Sequence, residues 1–477
     1  MNTSITGILA VLAAILAAGC ASMRGLAPEA APASANALAS QRSLASAKLS
    51  PAAWPDPAWW KGFGDPALDR LIDEALADSP TLKLAAARTR KALAYAAVAR
   101  SAMYPQADAA LDATRERFAE TRLIPPPVGG SWDTQYQLQA TLNWEIDFWG
   151  KNRAAWQSAM GVARAAAVDA EAARLMLAVN VAQAYVQLQR AYQQRDIAQA
   201  TLDRREKVDA LTRDRNAAGI DSRLELKQAE EALPAAREQI VQIDETIART
   251  RNQIAALLGR GPDRGLAIGR PVAHVLGAPA LPTAVPAELI GRRPDLVAER
   301  LRIESAQKQI DVAKAQFYPN VNLAAFAGLQ SLGASGFFTA ASRMAGVGPA
   351  ISLPIFDAGR LRGNLAARDA DYDAAVEQYN QTLADALRDV VDQLASFRSV
   401  EAQREQQVLA LATAREAYDL ALLRYREGVG NYLQVLSAEQ PLLAQQRLDV
   451  DLRARELALS INLIRALGGG YRGKSPA

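Results

Sequence analysis

The same series of motifs occurs twice along this sequence, and this internal repeat restricts the fold more than any other feature. Tyr104-Pro105 returns as Tyr318-Pro319, and Gly219 returns as Gly428, with similar apolar residues after each glycine. A repeated unit of this length predicts two halves that contain the same elements in the same order. Each half is expected to contain a helix, two paired strands, a very long helix, a tight turn and a returning helix.

Alternating apolar and polar residues predict two strands in each half. In the first half, one strand begins at Gln106 and extends to about Arg115, and the other extends from Tyr136 to Ile146. In the second half, the apolar positions of the two strands are Val321, Leu323, Ala325, Ala327 and Leu329, and then Val347, Ile351, Leu353 and Ile355. An apolar face opposite a polar face suits a strand that lies between lipid and water. A soluble sandwich or a half-buried hairpin is the alternative interpretation.

Two very long segments, from Gly150 to Ala217 and from Leu361 to Glu427, contain no proline and almost no glycine. Each is expected to form one helix, about 100 Å long at 1.5 Å per residue. A helix of that length is stable only when it packs along its neighbours. A coiled-coil seam with alternating spacings of four and three is visible at Leu383, Leu387, Val390, Leu394 and Phe397.

Glycine residues mark the ends of both long helices. Gly219 and Gly428 are expected to take the left-handed conformation that ends a helix, so that each long helix folds back as an antiparallel hairpin. Pro234 and Pro441 lie inside the returning helices and are expected to kink them.

Four strands are too few to close a barrel, and open sheet edges are not tolerated in lipid. If the strands cross a membrane, several chains must therefore share one barrel, and a trimer gives twelve strands, an even number in the usual range. The predicted fold class is mainly α with a β-barrel portion: a two-repeat chain whose trimer forms a twelve-stranded transmembrane barrel, continued by a long α-helical coiled-coil tunnel.

The first residues predict export and a lipid anchor. The apolar run from Ile5 to Gly19 is too short to span a bilayer and ends in small residues, as a signal peptide does. Cys20 follows at once, and Ala17-Ala18-Gly19-Cys20 resembles a bacterial lipobox, in which the cysteine is lipidated. An ordinary signal peptide with a chance cysteine is the alternative.

These observations predict the following division of the chain. It consists of a signal peptide at 1–19, a lipid-anchored flexible tether at 20–55, a first repeat at 56–258, a connector at 259–287, a second repeat at 288–470 and a tail at 471–477.

Composition excludes several functional classes. With one cysteine and one histidine, His274, the chain has no internal disulfide and no Cys/His metal cluster, and a Ser-His-Asp triad is improbable. The net charge of +3 is too small for nucleic-acid binding. Residues 468–475 fit a P-loop pattern, but no strand precedes them and no helix follows. We expect no enzyme site, no cofactor and no metal.

Several motifs resemble those of the NodT-type lipoprotein branch of the TolC family of outer-membrane channels. The resemblance spans most of the chain after residue 58. The motifs that carry it are Trp59-Trp60-Lys61-Gly62-Phe63-Gly64-Asp65-Pro66, Arg292-Arg293-Pro294-Asp295-Leu296, Phe317-Tyr318-Pro319, Leu353-Pro354-Ile355-Phe356-Asp357-Ala358-Gly359-Arg360 and Ala466-Leu467-Gly468-Gly469-Gly470. The resemblance implies a homotrimer in the outer membrane, with a tunnel in the periplasm. It also implies docking onto a periplasmic adaptor protein and an inner-membrane pump.

The resemblance also implies a gate at the periplasmic tip, near the turn of the second hairpin. The positions that match the constriction are Leu433, Gln434 and Ser437, with Glu225 and Gln228 at the equivalent places in the first hairpin. Because Gln434 and Ser437 are not acidic, a neutral or apolar gate is expected. The turns at Gly219 and Gly428 would contact the adaptor. Ordinary coiled-coil packing or a solvated surface is the alternative role of the five gate positions.

The predicted function is that of the outer-membrane channel of a tripartite efflux pump, which exports small molecules such as drugs or toxic organic compounds. One alternative is the duct of a type I protein-secretion system, which the same fold serves. Another is a periplasmic coiled-coil scaffold lipoprotein without a pore. The amphipathic strands favour the channel over the scaffold.

Overall fold

The structure is a computed structural model that describes residues 22–34, 38–39, 42, 54–121, 127–272 and 285–473. The chain divides into two compact units. The sheet unit consists of the described parts of Met1–Pro32, Arg88–Ala166 and Ala298–Tyr379. The helical unit consists of the described parts of Ala33–Ala87, Ala167–Val297 and Asn380–Ala477. Cys20, the signal peptide and His274 lie outside the described residues.

The sheet unit contains one antiparallel sheet of four strands, in the order β1-β2-β3-β4. Their bounds are β1 Gln106–Arg117, β2 Trp132–Glu145, β3 Asn320–Leu332 and β4 Arg343–Ser352. All three pairs of neighbouring strands are antiparallel, and each repeat supplies one hairpin. The prediction of β4 was wrong at its far end, because Leu353 and Ile355 lie beyond the strand. Pro354 between them has no backbone N–H to donate to a ladder.

The register places apolar side chains opposite apolar side chains across the sheet. Leu138 on β2 pairs with Leu111 on β1 and with Leu329 on β3. Ala325 on β3 pairs with Val347 on β4. The intervening residues, mostly Gln, Asn, Thr and Asp, share the other face. The period-two pattern of the sequence is therefore confirmed, with one mostly polar face and one face that is apolar except at the end of the hairpin loops.

Nine helices occur in the described part of the chain. They are α1 Pro66–Asp78, α2 Pro80–Ser101, α3 Lys151–Ala217, α4 Arg223–Leu257, α5 Asp263–Leu266, α6 Val285–Arg292, α7 Pro294–Ala315, α8 Arg360–Arg426 and α9 Tyr432–Ala466. The two long helices, α3 and α8, have 67 residues each, as the repeat predicts. No helix within the described residues is long and apolar enough to cross a membrane.

Both hairpin turns take the backbone conformation that the sequence predicts. Gly219 has a φ of 73° and Gly428 a φ of 77°, in the left-handed region where a side chain would be strained. The returning helices α4 and α9 continue through Pro234 and Pro441 respectively. The kinks expected at these prolines remain a prediction.

The helical unit is held together by a large apolar core. Trp59, Trp60 and Phe63 form a short 3₁₀ turn whose rings pack with α1 and with the middle of α3, including Leu188. The predicted seam of α8 is confirmed, since Leu383, Leu387, Val390 and Leu394 are all buried and Phe397 is half-buried against them.

Residues 22–34, which belong to the predicted tether, make defined contacts with α8. The backbone N–H groups of Glu29 and Ala30 donate to the carboxylate of Asp373 on α8, at 3.0 and 2.9 Å. Met23 and Leu26 pack against a buried cluster that includes Leu365. Composition gave no sign of these contacts, because they depend on partners more than 300 residues away along the chain.

Candidate functional site

The first turn of α9 carries the predicted gate residues. Leu433, Gln434 and Ser437 are all exposed in the single chain. The carboxamide oxygen of Asn431 caps the helix by accepting from the backbone N–H of Gln434 at 3.0 Å. The hydroxyl of Ser437 donates to the carbonyl of Leu433 at 2.8 Å. The structure thus places the three residues on one helical turn beside Gly428, and their role as a constriction remains a prediction.

Glu225 has a local structural role at the start of α4. Its carboxylate accepts hydrogen bonds from the hydroxyl of Ser222 and from the backbone N–H of Ser222, the latter at 2.9 Å. The hydroxyl of Ser222 in turn accepts from the backbone N–H of Leu224 at 3.1 Å, and the reciprocal arrangement is a capping box. The hydrogen bond from the hydroxyl of Ser222 lowers the pKa of Glu225, which keeps it charged at neutral pH. Gln228 is half-buried on the next turn, and the part of either residue in a gate remains untested.

A polar network next to the turns was not predicted from the sequence. The guanidinium of Arg215 on α3 binds both carboxylate oxygens of Asp221, at 2.9 and 3.1 Å, and donates to the carbonyl of Tyr425 on α8 at 2.8 Å. The hydroxyl of Tyr425 donates to Asp221 at 2.6 Å and lies 2.8 Å from the hydroxyl of Thr212. The network therefore joins the end of the first hairpin to the end of the second.

Burial makes this network strong. The side chains of Arg215 and Asp221 are only 10% and 7% exposed. Removing one partner of such a buried pair typically costs about 3–5 kcal/mol. The guanidinium carbon of Arg215 also lies 4.5 Å from the centre of the Tyr425 ring, a cation–π contact. A single side chain, Tyr425, thus contacts both charged groups of the other hairpin.

The pKa values of the network follow from these contacts. Burial alone would raise the pKa of Asp221, but hydrogen bonds from Arg215 and Tyr425 and the charge of Arg215 outweigh it, and the pKa is lowered. Burial, together with the hydrogen bond to Asp221, raises the pKa of Tyr425 to about 12. The hydrogen bond to Asp221 raises the pKa of Arg215. The network therefore keeps one protonation state across the physiological range.

A second buried ion pair joins the hairpins further along. Arg205 on α3 lies 2.9 Å from Glu439 on α9, and the two side chains are 16% and 5% exposed. Arg205 also donates to the carbonyl of Ala232 on α4 at 3.1 Å. The two hairpin tips, which are the ends of the hairpins at Gly219 and Gly428, are thus linked by buried charged groups at two positions along their length. Arg215, Asp221 and Tyr425 lie within a few residues of the glycine turns, but nothing in the sequence pairs them, and Arg205 and Glu439 lie further from the turns.

Carboxylates at the ends of the strands act as helix caps. Asp147 accepts from the backbone N–H groups of Asn152 and Arg153, at 3.1 and 2.9 Å, and so caps α3. Asp357 accepts from the backbone N–H of Leu361 at 2.9 Å at the equivalent place in α8. Asp147 and Asp357 thus have the same capping role in the two repeats.

The glycine run near the C-terminus is a packing motif. A Cβ on Gly468 would lie 2.0 Å from the carbonyl oxygen of Arg292, and one on Gly469 would lie 2.0 Å from the side chain of Leu175. Arg293 is buried, donates to Asp295 at 2.7 Å and reaches the carbonyl of Ala466 at 3.3 Å. Protein atoms of Arg292 and Leu175 thus fill the space beside Gly468 and Gly469. No group of metal-ligating residues occurs in the described part of the chain.

The fold and the tip together define a class of protein. The sheet has one face suited to lipid and two open edges, as expected of one subunit's share of a membrane barrel, and the hairpins of the helical unit are linked to each other at their turns. A family model described as outer membrane efflux protein matches residues 71–260 and 285–469. The chain belongs to this family.

Individual relatives agree with this assignment. The chain is 41% identical over 368 residues to the fusaric acid resistance protein FusA of Burkholderia cepacia, with 76% of this chain and 69% of FusA covered. It is 33% identical over 433 residues to the multidrug resistance outer membrane protein MdtP of Escherichia coli K12, with 89% and 88% covered.

A solved structure extends the likeness to three dimensions. The outer membrane protein VceC of Vibrio cholerae superimposes with a TM-score of 0.81 at 37% identity, covering 87% of this chain and all of VceC. The chain is thus one subunit of a trimeric outer-membrane efflux channel with a β-barrel and a periplasmic helical tunnel. The family is not a family of enzymes. Its channels work with adaptor and inner-membrane pump components, which decides against a scaffold without a pore.

Proposed function

We propose that this chain forms the exit channel for small organic compounds, supplied by an inner-membrane pump through a periplasmic adaptor. The observation that carries the proposal is the combination of an amphipathic sheet with hairpins locked at their tips, which suits a duct that is closed until partners engage it. The names of FusA and MdtP, which refer to fusaric acid and to multiple drugs, support a cargo of this class.

Deletion of the gene tests the cargo. We expect the deletion strain to become sensitive to fusaric acid and to hydrophobic drugs, and to regain resistance with the wild-type gene. Secretion of proteins by a type I system in the same strain serves as the control. Lost protein secretion with unchanged drug sensitivity would replace this proposal with the secretion duct.

We propose further that the Arg215–Asp221–Tyr425 network holds the resting tip closed and that Leu433, Gln434 and Ser437 narrow the bore beside it. Three copies of the exposed Leu433 would form an apolar ring, and such rings block ions by dewetting. Leu433→Ser should raise ion conductance, and Ser437→Asp should raise cation selectivity. Reversal potentials under a salt gradient measure the second effect, and unchanged values in both variants would place the constriction elsewhere.

The turns themselves are proposed to contact the adaptor. Ile220, beside Gly219, and Val429, beside Gly428, are 61% and 67% exposed, so each turn presents an apolar side chain to solvent. Ile220→Asp with Val429→Asp should weaken cross-linking to the periplasmic adaptor, while the channel still assembles. Cross-linking at the wild-type level would exclude these turns as the contact.

Cys20 is proposed to carry the lipid anchor after cleavage at Gly19. Although Cys20 lies outside the described residues, the carbonyls of Ser22 and Arg24 accept hydrogen bonds from Arg362 in the first turn of α8, the helix that follows β4. Residues 22–24 are therefore held against the first turn of α8. Mass spectrometry of the mature N-terminus decides the point, and an unmodified N-terminus further along the chain would exclude the anchor.

A further inference from the structure

Charged residues are divided by sign between the two faces of the sheet. Within the four described strands, the polar face carries five acidic residues and no basic one, namely Asp108, Asp112, Glu116, Asp133 and Glu145. The apolar face carries three arginines and no acidic residue, namely Arg115, Arg117 and Arg343. The apolar face is the one that meets lipid, so these arginines need an explanation.

All three arginines lie at the same end of the sheet. Arg115 pairs with Thr134 and Arg117 with Trp132, at the end where β1 and β2 are joined by a loop, and Arg343 begins β4 at the equivalent loop of the second hairpin. An arginine on the lipid face costs about 2–4 kcal/mol at the middle of the bilayer but about 0–1 kcal/mol near its surface. The opposite end of the apolar face carries no charge. Helix α2 leads into β1 and α3 follows β2 at that opposite end, and the tunnel of this family is periplasmic, so the arginine end faces the outer leaflet.

The arginines are available to bind an anion. All three are exposed. Arg115 and Arg343 form no ion pair with any residue that the structure describes, and Arg117 lies 3.2 Å from Glu120 with both side chains more than half exposed. An exposed pair of that kind contributes about 0–1 kcal/mol and yields readily to a better anion. Trp132 beside Arg117 is 64% exposed, as is typical of aromatic residues at a membrane surface.

The trimer brings the two edge strands together. In each chain β1 and β4 form the edges of the sheet. A closed barrel leaves no free edge, so β4 of one subunit must pair with β1 of the next. Arg343 of one subunit and Arg115 and Arg117 of its neighbour therefore belong to adjacent strands on the lipid side, and the trimer has three such positions.

We infer that these three arginines form an inter-subunit site for the phosphate groups of an outer-leaflet glycolipid. The planar guanidinium binds phosphate through two parallel hydrogen bonds, and several arginines at a lipid surface favour a headgroup with more than one phosphate. The acyl chains of the glycolipid would lie on the apolar face below the arginines. This site goes beyond the export function, because it concerns the lipid that surrounds the channel.

Lipid binding to the purified trimer in detergent tests the site. Native mass spectrometry would count bound bisphosphorylated lipid A, with dephosphorylated lipid A and phosphatidylglycerol as comparison lipids. We expect up to three bisphosphorylated molecules per trimer. Arg115→Gln with Arg117→Gln and Arg343→Gln should weaken their binding by about tenfold or more. The matched control replaces Arg237, Arg249 and Arg453, exposed arginines on α4 and α9, with glutamine and should bind as the wild type does.

If the triple variant does not assemble into trimers, single variants of Arg343 test the site instead. Because two subunits build each site, Arg343→Gln alone should also weaken lipid binding. Arg343→Lys should bind better than Arg343→Gln, because lysine retains the positive charge but cannot form the two parallel hydrogen bonds of a guanidinium. Equal binding of phosphorylated and dephosphorylated lipid A would overturn the proposal. So would phosphatidylglycerol binding as tightly as lipid A, or wild-type affinity in an assembled Arg343→Gln trimer.

Discussion

At the scale of single residues, Tyr425 is the side chain that connects the two hairpin tips. Its hydroxyl donates to Asp221, its carbonyl accepts from Arg215, and its ring lies under the guanidinium of Arg215. No local pattern in the sequence predicted this, because the partners lie about two hundred positions apart along the chain. The glycine turns beside them were predicted, since a glycine at a helix end has a local conformational reason.

Replacing Tyr425 with phenylalanine should loosen the tips. The change removes the hydrogen bond to the charged Asp221, which is worth about 1.5–3 kcal/mol per subunit, while the ring remains to fill the space. Cells that express the variant should become more sensitive to a large antibiotic that wild-type cells exclude. Tyr432→Phe is the matched control, because Tyr432 is also buried but its hydroxyl has no hydrogen bond within the described residues. Equal antibiotic sensitivity of cells with the two variants would show that the hydroxyl of Tyr425 does not hold the tips closed.

The tip network should be insensitive to mild acid. The pKa of Asp221 is held below its ordinary value of 3.8, so the stabilisation it provides is fully present above that pH and is lost only as the pH falls through the lower folded value. The pKa of Tyr425 is raised to about 12, so the hydroxyl keeps its proton far into the alkaline range. Conductance in planar bilayers should therefore be constant between about pH 5 and pH 9. Opening with a midpoint inside that window would show that another titrating group controls the tip.

At the scale of elements, the sequence predicted the strands and long helices well because each has a strong local period. Alternation located β1, β2 and β3, and the absence of proline and glycine located α3 and α8. The end of β4 was missed where Pro354 interrupts the alternation. The docking of residues 22–34 was missed because side chains of α8, such as Asp373, bind backbone groups that carry no signal of their own.

The two faces of β2 should respond differently to the same charge. Leu138 lies at the middle of the apolar face, and the adjacent Gln139 lies on the polar face. Leu138→Arg should cost about 2–4 kcal/mol in the membrane and reduce the yield of assembled trimer, whereas Gln139→Arg should assemble normally. Gel electrophoresis of outer-membrane fractions without heating measures the trimer. Equal yields would mean that the apolar face does not meet lipid.

The glycines of the C-terminal run should tolerate substitution less well than those of the turns. Gly468→Ala brings a methyl group to 2.0 Å from the carbonyl oxygen of Arg292, so the helical unit must shift. In Gly219→Ala the new methyl group contacts no other atom, so the only cost is the backbone strain of a positive φ. Because of this overpacking, Gly468→Ala should destabilise the protein by about 1–3 kcal/mol more than Gly219→Ala does, which is measured as a lower Tm. Similar Tm values for the two variants would show that residues 292 and 468 are not in close contact.

At the scale of the whole molecule, the incomplete sheet explains why the chain works as a trimer. One chain offers four strands with two open edges, and the free N–H and C=O groups on those edges are costly in lipid. Three chains remove every edge and place three copies of the hairpin tips around one axis. The sequence already predicted this assembly from the strand count, while the membership of the outer membrane efflux protein family establishes it.

The most direct test of the account is single-channel recording from purified trimers in planar bilayers, comparing the wild type with the double variant Asp221→Ala and Tyr425→Phe. We predict discrete channel events in both, with low conductance in the wild type because its tips are locked and clearly higher conductance in the variant. Inserted trimers that conduct no ions in either form would contradict the channel itself. Equal conductance in the two forms would contradict the closure of that channel by the tip network.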